Sequence, residues 1–112
     1  METIDRESLR EKVESGADFV LVDALSPMSF AAAHLPGAIN LTPGWVDERA
    51  RRRIPDLDTE VVVYCLGPDC DSSVKVAKRL IELGYRNVLH YSGGVEDWAE
   101  AGLPLEGARA PR

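Results

Sequence analysis

Two cysteines, Cys65 and Cys70, stand with four residues between them in the stretch Cys65-Leu66-Gly67-Pro68-Asp69-Cys70-Asp71-Ser72. This polar, glycine- and proline-containing segment directly follows the chain's strongest strand signal, the β-branched run Val61-Val62-Val63-Tyr64. A helical pattern begins about Ser72. A chain curling from a strand end to a helix start turns several backbone N–H groups toward one point. Those dipoles, with the positive end of the helix, favour thiolate over thiol and hold anions. Cys65 is therefore a candidate nucleophile, and a buried, inert cysteine is the bland alternative. Cys70 is either a bystander thiol or a candidate resolving thiol, close enough to attack a persulfide or sulfenate on Cys65 and close a bridge. Zinc would need two further ligands. His34 and His90 are the only histidines, and His34 lies in a Leu-Pro-Gly turn that reads as structural, so no metal is expected.

The elements that must position this loop follow from pattern. Asp5 to Ser15 reads as a helix, with Leu9 and Val13 at i, i+4 spacing and Gly16 past its end. Phe19-Val20-Leu21-Val22 is a strand with no polar alternation, as in a sheet covered on both faces. Ser26-Pro27 opens a short helix that ends at Leu35-Pro36-Gly37, and Ala38 to Leu41 is a brief strand. Trp45 to Arg53 is a helix stopped before Pro55. The helix from Ser72 to Leu83 puts Val76, Ala77, Leu80 and Ile81 on one face. Asn87 to Tyr91 is a strand, Gly93-Gly94 turns the chain, and Val95 to Ala101 is a last short helix. Strands alternating with helices predict an α/β fold: a doubly wound, mostly parallel sheet of about five short strands with helices on both faces. Residues 1–105 form one domain on this reading, and residues 106–112 a flexible tail, with fraying from Pro104 onward.

Composition narrows the function classes. The chain has 112 residues, 45% apolar and 29% charged, enough for one core with a solvated outside. Lys plus Arg number 13 against 19 for Asp plus Glu, a net charge of −6. Sequence-independent binding to nucleic acid is not expected, because it relies on basic neutralisation of phosphates. No apolar run is long enough to span a membrane. The charged opening Met1-Glu2-Thr3-Ile4-Asp5-Arg6-Glu7 lacks a secretion-signal pattern, and two cysteines are too few for a disulfide scaffold. A cytoplasmic, reduced protein is the expectation. The cluster Arg49-Ala50-Arg51-Arg52-Arg53 reads as a solvated helix face ahead of a docking patch. Trp45 and Trp98 read as packing anchors, and His90 as a satisfied core or edge histidine.

From Ile4 to Leu105 the chain resembles the rhodanese (sulfurtransferase) family, single-domain type, on three stretches in order. The first is Val20-Leu21-Val22-Asp23 leading through Phe30 to His34-Leu35-Pro36-Gly37-Ala38-Ile39-Asn40. The second is Val62-Val63-Tyr64-Cys65 with its loop and a helix beginning Ser72-Ser73. The third is Gly93-Gly94-Val95-Glu96-Asp97-Trp98 with Gly102-Leu103-Pro104. The resemblance implies that Cys65 carries sulfur and that Leu66, Gly67, Pro68, Asp69, Cys70, Asp71 and Ser72 form the loop that binds substrate. It implies no cofactor. It implies a small sulfur-donor anion or a persulfide as donor, and a thiol or cyanide as acceptor, in two covalent half-reactions.

The chain also departs from that family's pattern. Its loop is longer than in many single-domain relatives if Ser73 is the final hydroxyl, and it holds Asp69 and Asp71 with no Lys or Arg. Carboxylates facing the sulfur would oppose a dianionic donor, whereas Asp71 as helix N-cap would point away, and the capping reading leads. Leu25 stands where many relatives carry an arginine, removing one ion pair for Asp23 or its neighbours. The Cys-x5-Arg phosphatases of related folds are excluded, because the sixth residue after Cys65 is Asp71, which repels phosphate. Two function classes remain: a sulfurtransferase working through a Cys65 persulfide, or a weakly active or inactive interaction or redox-sensing module using the Cys65/Cys70 pair.

Overall fold

The computed structural model describes residues 1–110. The elements run β1 (Glu2–Thr3), α1 (Arg6–Ser15), β2 (Val20–Asp23), α2 (Pro27–Ala32), β3 (Ile39–Asn40), α3 (Val46–Arg53), β4 (Glu60–Tyr64), α4 (Ser72–Glu82), β5 (Asn87–His90) and α5 (Gly94–Glu100). The five strands form one sheet in the order β1-β5-β4-β2-β3, and every pairing is parallel. This is the expected doubly wound α/β fold. Among the described residues, no helix is long and apolar enough to cross a membrane.

Side chains that alternate along β4 build both halves of the core. Val61, Val63 and Cys65 face α3 and α4, packing with Val46, Ala50, Ile54, Val76, Ala77 and Leu80. Val62 and Tyr64 face α1 and α5, packing with Leu9, Leu21, Tyr91 and Trp98. The run Val61 to Tyr64 is fully buried, which is why it carries no polar alternation. Burying each such side chain stabilises the fold by about 1.5–3 kcal/mol. Because β4 is the central strand, its carboxyl end opens between the two helical layers, beside the N-termini of α4 and α5.

Two differences from expectation have simple causes. β1 is only two exposed residues, too short to show any periodicity, and it is held by its register with Leu89 and His90. The segment expected to fray from Pro104 is instead stitched down as far as Ala110. Trp98 Nε1 donates to the Pro104 carbonyl, His34 and Glu106 exchange both backbone hydrogen bonds, and the Ala108 and Arg109 amides donate to the carbonyls of Ala31 and Ala32. The last two bonds satisfy carbonyls that the end of α2 leaves open. Of the expected 106–112 tail, residues 111 and 112 lie outside the described residues.

Candidate active site

Cys65 follows the last residue of β4, and its backbone is fixed from three sides. The amides of Ala24, Tyr91 and Val95 donate to the carbonyls of Tyr64, Val63 and Cys65, at 2.9, 3.0 and 3.0 Å. The Glu96 amide donates to the Leu66 carbonyl at 2.9 Å. The first amides of α5, which have no partner within their helix, are thereby used to hold the start of the loop. The loop then turns, with the Cys70 amide donating to the Gly67 carbonyl at 3.1 Å, and enters α4 at Ser72.

The sequence-assigned loop residues are brought together unevenly. Leu66, Pro68, Asp69 and Asp71 are exposed, Gly67 is buried, and Cys70 and Ser72 are half-buried. The Glu96 carboxylate lies over Gly67, where a Cβ would meet its Oε1 at 3.0 Å. Asp71 occupies the N-cap position of α4 but does not cap it. Its backbone is helical (φ −99°, ψ −2°) rather than extended, and its carboxylate reaches Lys75 at 3.5 Å.

The Cys65 sulfur departs from the expected bowl of amides. Cys65 is 2% exposed and part of the core under α3 and α4. Its Sγ donates to the Cys70 carbonyl at 3.3 Å and lies 3.0 Å from Ser73 Oγ. Burial pushes the thiol pKa up, and a hydrogen bond with the Cys70 side chain adds to this. The Ser73 hydroxyl and amide pull the other way without reversing it. The resting form at neutral pH is therefore the thiol, and the expectation of a resting thiolate at this position is corrected. Cys70 is the reverse case. Burial pushes it up too, but hydrogen bonds from the Cys65 thiol, from the Leu66 and Ser72 amides and from the Ser72 hydroxyl outweigh burial and hold its pKa below the ordinary thiol range.

Behind the loop, Ser73 Oγ is also 2.8 Å from His90 Nε2. Ser73 is 1% exposed, and it belongs to the stripe that buries Val76, Ala77 and Leu80, so helical spacing alone aims it inward. His90 shares the β5 face of Val88, opposite Val63. Burial lowers its pKa, so the ring is neutral at pH 7. Reading His90 only as a satisfied strand histidine missed this link, although period-two alternation from Val88 would have placed it on the Cys65 side.

On the other face, Asp23 is fully buried. Its Oδ1 accepts from the Leu25 amide at 2.8 Å, and its Oδ2 has no partner. Burial raises its pKa, while the Leu25 amide and the neighbouring Tyr64 hydroxyl lower it. The unpaired oxygen fits the absence of an arginine at position 25. The arginines of α3 sit mainly at its C-terminal turn, at the end of the sheet away from Cys65, where cations complement the helix dipole. Arg49 instead stacks on Trp45, 3.9 Å from the ring centre.

A doubly wound parallel sheet with a cysteine at the carboxyl end of its central strand and a helix-capped loop beyond it defines a class of α/β domains with a cysteine-centred site. The rhodanese-like domain family profile matches residues 5–101, and the chain belongs to that family. It is 34% identical over 102 residues to a sulfurtransferase of Allochromatium vinosum, covering 91% of this chain and 92% of the relative. It is 35% identical over 96 residues to the thiosulfate sulfurtransferase GlpE of Haemophilus influenzae, covering 86% of each. The fold of the BH2092 protein from Bacillus halodurans superposes with a TM-score of 0.90 at 24% identity, over 97% of this chain and 79% of that one. These relationships support a transferase acting on small sulfur donors and acceptors.

Proposed function

We propose that the protein is a sulfurtransferase that moves a sulfane sulfur from thiosulfate or a persulfide donor to a thiophilic acceptor through a persulfide on Cys65. The observation that carries this reading is the placement of Cys65 at the end of β4, with its loop anchored on α5 and flanked by the start of α4. In the first half-reaction the Cys65 thiolate attacks the donor's outer sulfur. The donor S–S bond breaks, and the leaving group, sulfite or a thiolate, takes the bonding pair. In the second, cyanide or a thiolate attacks the outer sulfur of the persulfide, and Cys65 leaves as thiolate. Residues 66–72 surround the incoming donor, and the positive end of α4 faces its charge.

The rim of this site is acidic. Asp69 and Asp71 are exposed on the loop, the Glu96 carboxylate lies against Gly67, and the nearby Lys75 is paired with Asp71. A dianionic donor is repelled by such a rim, so a thiol persulfide is the better donor of the two. The test is intact mass after exposure to each donor. One added sulfur mapping to Cys65 and absent from Cys65→Ser is expected, and full sulfur turnover by Cys65→Ser would overturn the assignment.

The closeness of the two cysteines, with Cys65 Sγ 3.3 Å from the Cys70 carbonyl, favours a second reading, a redox-sensing module built on the Cys65/Cys70 pair. No turnover with any sulfane donor, together with ready closure of a Cys65–Cys70 bridge, would select it.

A further inference from the structure

We propose that His90 is the proton acceptor for Cys65, reached through the Ser73 hydroxyl, so that the sulfur is ionised on demand at a buried position. The inference rests on the reading of Cys65 as sulfur carrier, but it concerns the thiol's ionisation and can be tested without any sulfur donor.

The three groups form one continuous path. Cys65 Sγ is 3.0 Å from Ser73 Oγ, and Ser73 Oγ is 2.8 Å from His90 Nε2. With the ring neutral and Nε2 bare, Nε2 accepts the Ser73 hydroxyl proton. The serine oxygen is then free to accept the Cys65 thiol proton once the S–H turns from the Cys70 carbonyl, 3.3 Å away, to Ser73. Ionisation moves two protons in step: the Cys65 proton passes to Ser73 Oγ as the Ser73 proton passes to His90 Nε2. The products are a thiolate that accepts a hydrogen bond from the serine hydroxyl, and an imidazolium. Buried hydrogen-bond chains polarise one another in this manner. The arrangement resolves a conflict within the site, since a carbonyl and apolar packing around Cys65 oppose a standing thiolate, whereas a neutral base nearby allows one when a donor arrives.

The surroundings of His90 leave this role open to it. Its register neighbours are Val63 on β4 and Thr3 on β1, α4 presents Ser73, and the titratable group reached through that serine is the Cys65 thiol, with Cys70 beyond it. Burial is the one cause of its depressed basicity. The half-buried ring can return the proton to solvent after transfer.

The test is the pH dependence of Cys65 alkylation by iodoacetamide in a Cys70→Ser background, with His90→Gln, Ser73→Ala and Ser73→Thr added singly. His90→Gln keeps a hydrogen bond but cannot titrate. Together with Ser73→Ala it is expected to slow alkylation at pH 7 at least about tenfold, with the His90→Gln/Ser73→Ala combination no slower than either alone. Ser73→Thr, which keeps the hydroxyl, should retain the rate. A second readout, nitrogen-15 NMR titration of the His90 ring, avoids any dependence on reagent access or variant folding at position 90. As Cys65 ionises at alkaline pH, its thiolate takes the Ser73 hydroxyl as donor, so the Nε2 signal should move from the bare toward the protonated position, and it should not do so in Cys65→Ala. An Nε2 signal that ignores Cys65 ionisation, or a His90→Gln rate within twofold of the background, overturns the relay. Either result leaves the sulfur-carrier assignment of Cys65 to its own mass measurement.

Discussion

Gly94 lies directly against the carbonyl of Cys65: a Cβ on that glycine would sit 2.4 Å from the Cys65 oxygen and 2.6 Å from the Leu66 oxygen. Its φ of +64° is left-handed as well. The absence of a side chain lets α5 begin close enough for the Val95 and Glu96 amides to reach those two carbonyls. One residue thus couples the last helix to the reactive loop.

Gly94→Ala is therefore expected to do harm twice. The backbone conformation alone costs about 1–3 kcal/mol in a non-glycine residue, and the contact with two backbone oxygens adds to it. The urea midpoint should fall, and sulfur transfer should fall further than the loss of folded protein explains, because the loop's anchor moves. A variant with wild-type midpoint and wild-type transfer would show that α5 does not set the loop.

The two cysteines give a redox prediction. Cys70 is held below the ordinary thiol pKa by the Cys65 thiol first, then by the Leu66 and Ser72 amides and the Ser72 hydroxyl, beside a Cys65 that is held above it. The more ionised thiol attacks faster. Mild oxidation should remove two hydrogens from the intact mass, with one peptide linking Cys65 to Cys70. Cys70→Ser should instead accumulate an oxygen adduct on Cys65 under the same oxidant, and a stable persulfide there only after exposure to a sulfane donor. An unbridged wild-type product would assign Cys70 a packing role only.

The final strap yields a third prediction. Gly107 has φ +125°, and a Cβ there would come 2.6 Å from the Ala32 oxygen, where the following amides bind the open end of α2. Gly107→Ala should release that strap. Loss of hydrogen-exchange protection at the Ala108 and Arg109 amides is the direct readout. The accompanying destabilisation is about 1 kcal/mol per hydrogen bond lost. Unchanged protection would mean that the strap does not depend on this residue.

Much of this was legible in the sequence because buried parallel strands and amphipathic helices write simple patterns. Val61 to Tyr64, β-branched and wholly apolar, reads as the strongest strand, and its end marks where Cys65 emerges. The stripe of Val76, Ala77, Leu80 and Ile81 marks α4, with Ile81 on its exposed edge, whereas Ser73 one turn back is not read from it. What was not legible was the direction of individual polar groups. Asp71 occupies the N-cap position, but its backbone angles turn its carboxylate toward Lys75. The Cys65 sulfur meets the Cys70 carbonyl and the Ser73 hydroxyl, a matter of a few torsions that spacing cannot express. The segment after Pro104 looked like a tail because Gly, Ala and Arg carry no packing signal. As far as Ala110 it is held by backbone hydrogen bonds, which leave no compositional trace.

Asp23 supplies a pH prediction whose sign can be worked out. Burial raises its pKa in the folded chain above the ordinary carboxyl value, so the folded state holds this proton more tightly than the unfolded state does. The stability this group contributes is fully present below the unfolded value of about 3.9. It is lost as pH rises through the higher folded value, leaving a buried carboxylate with one unpaired oxygen at neutral pH. Asp23→Asn carries no such titration, and the other carboxyl groups cancel when the two proteins are compared. Wild type should therefore gain on Asp23→Asn as pH falls from 7 toward 4, by no more than about 1.4 kcal/mol per pH unit within the window. Urea midpoints of both proteins across that range measure it. A difference that stays constant, or that favours wild type as pH rises, would mean that the Asp23 carboxylate has found a cationic or hydrogen-bonding partner for its second oxygen.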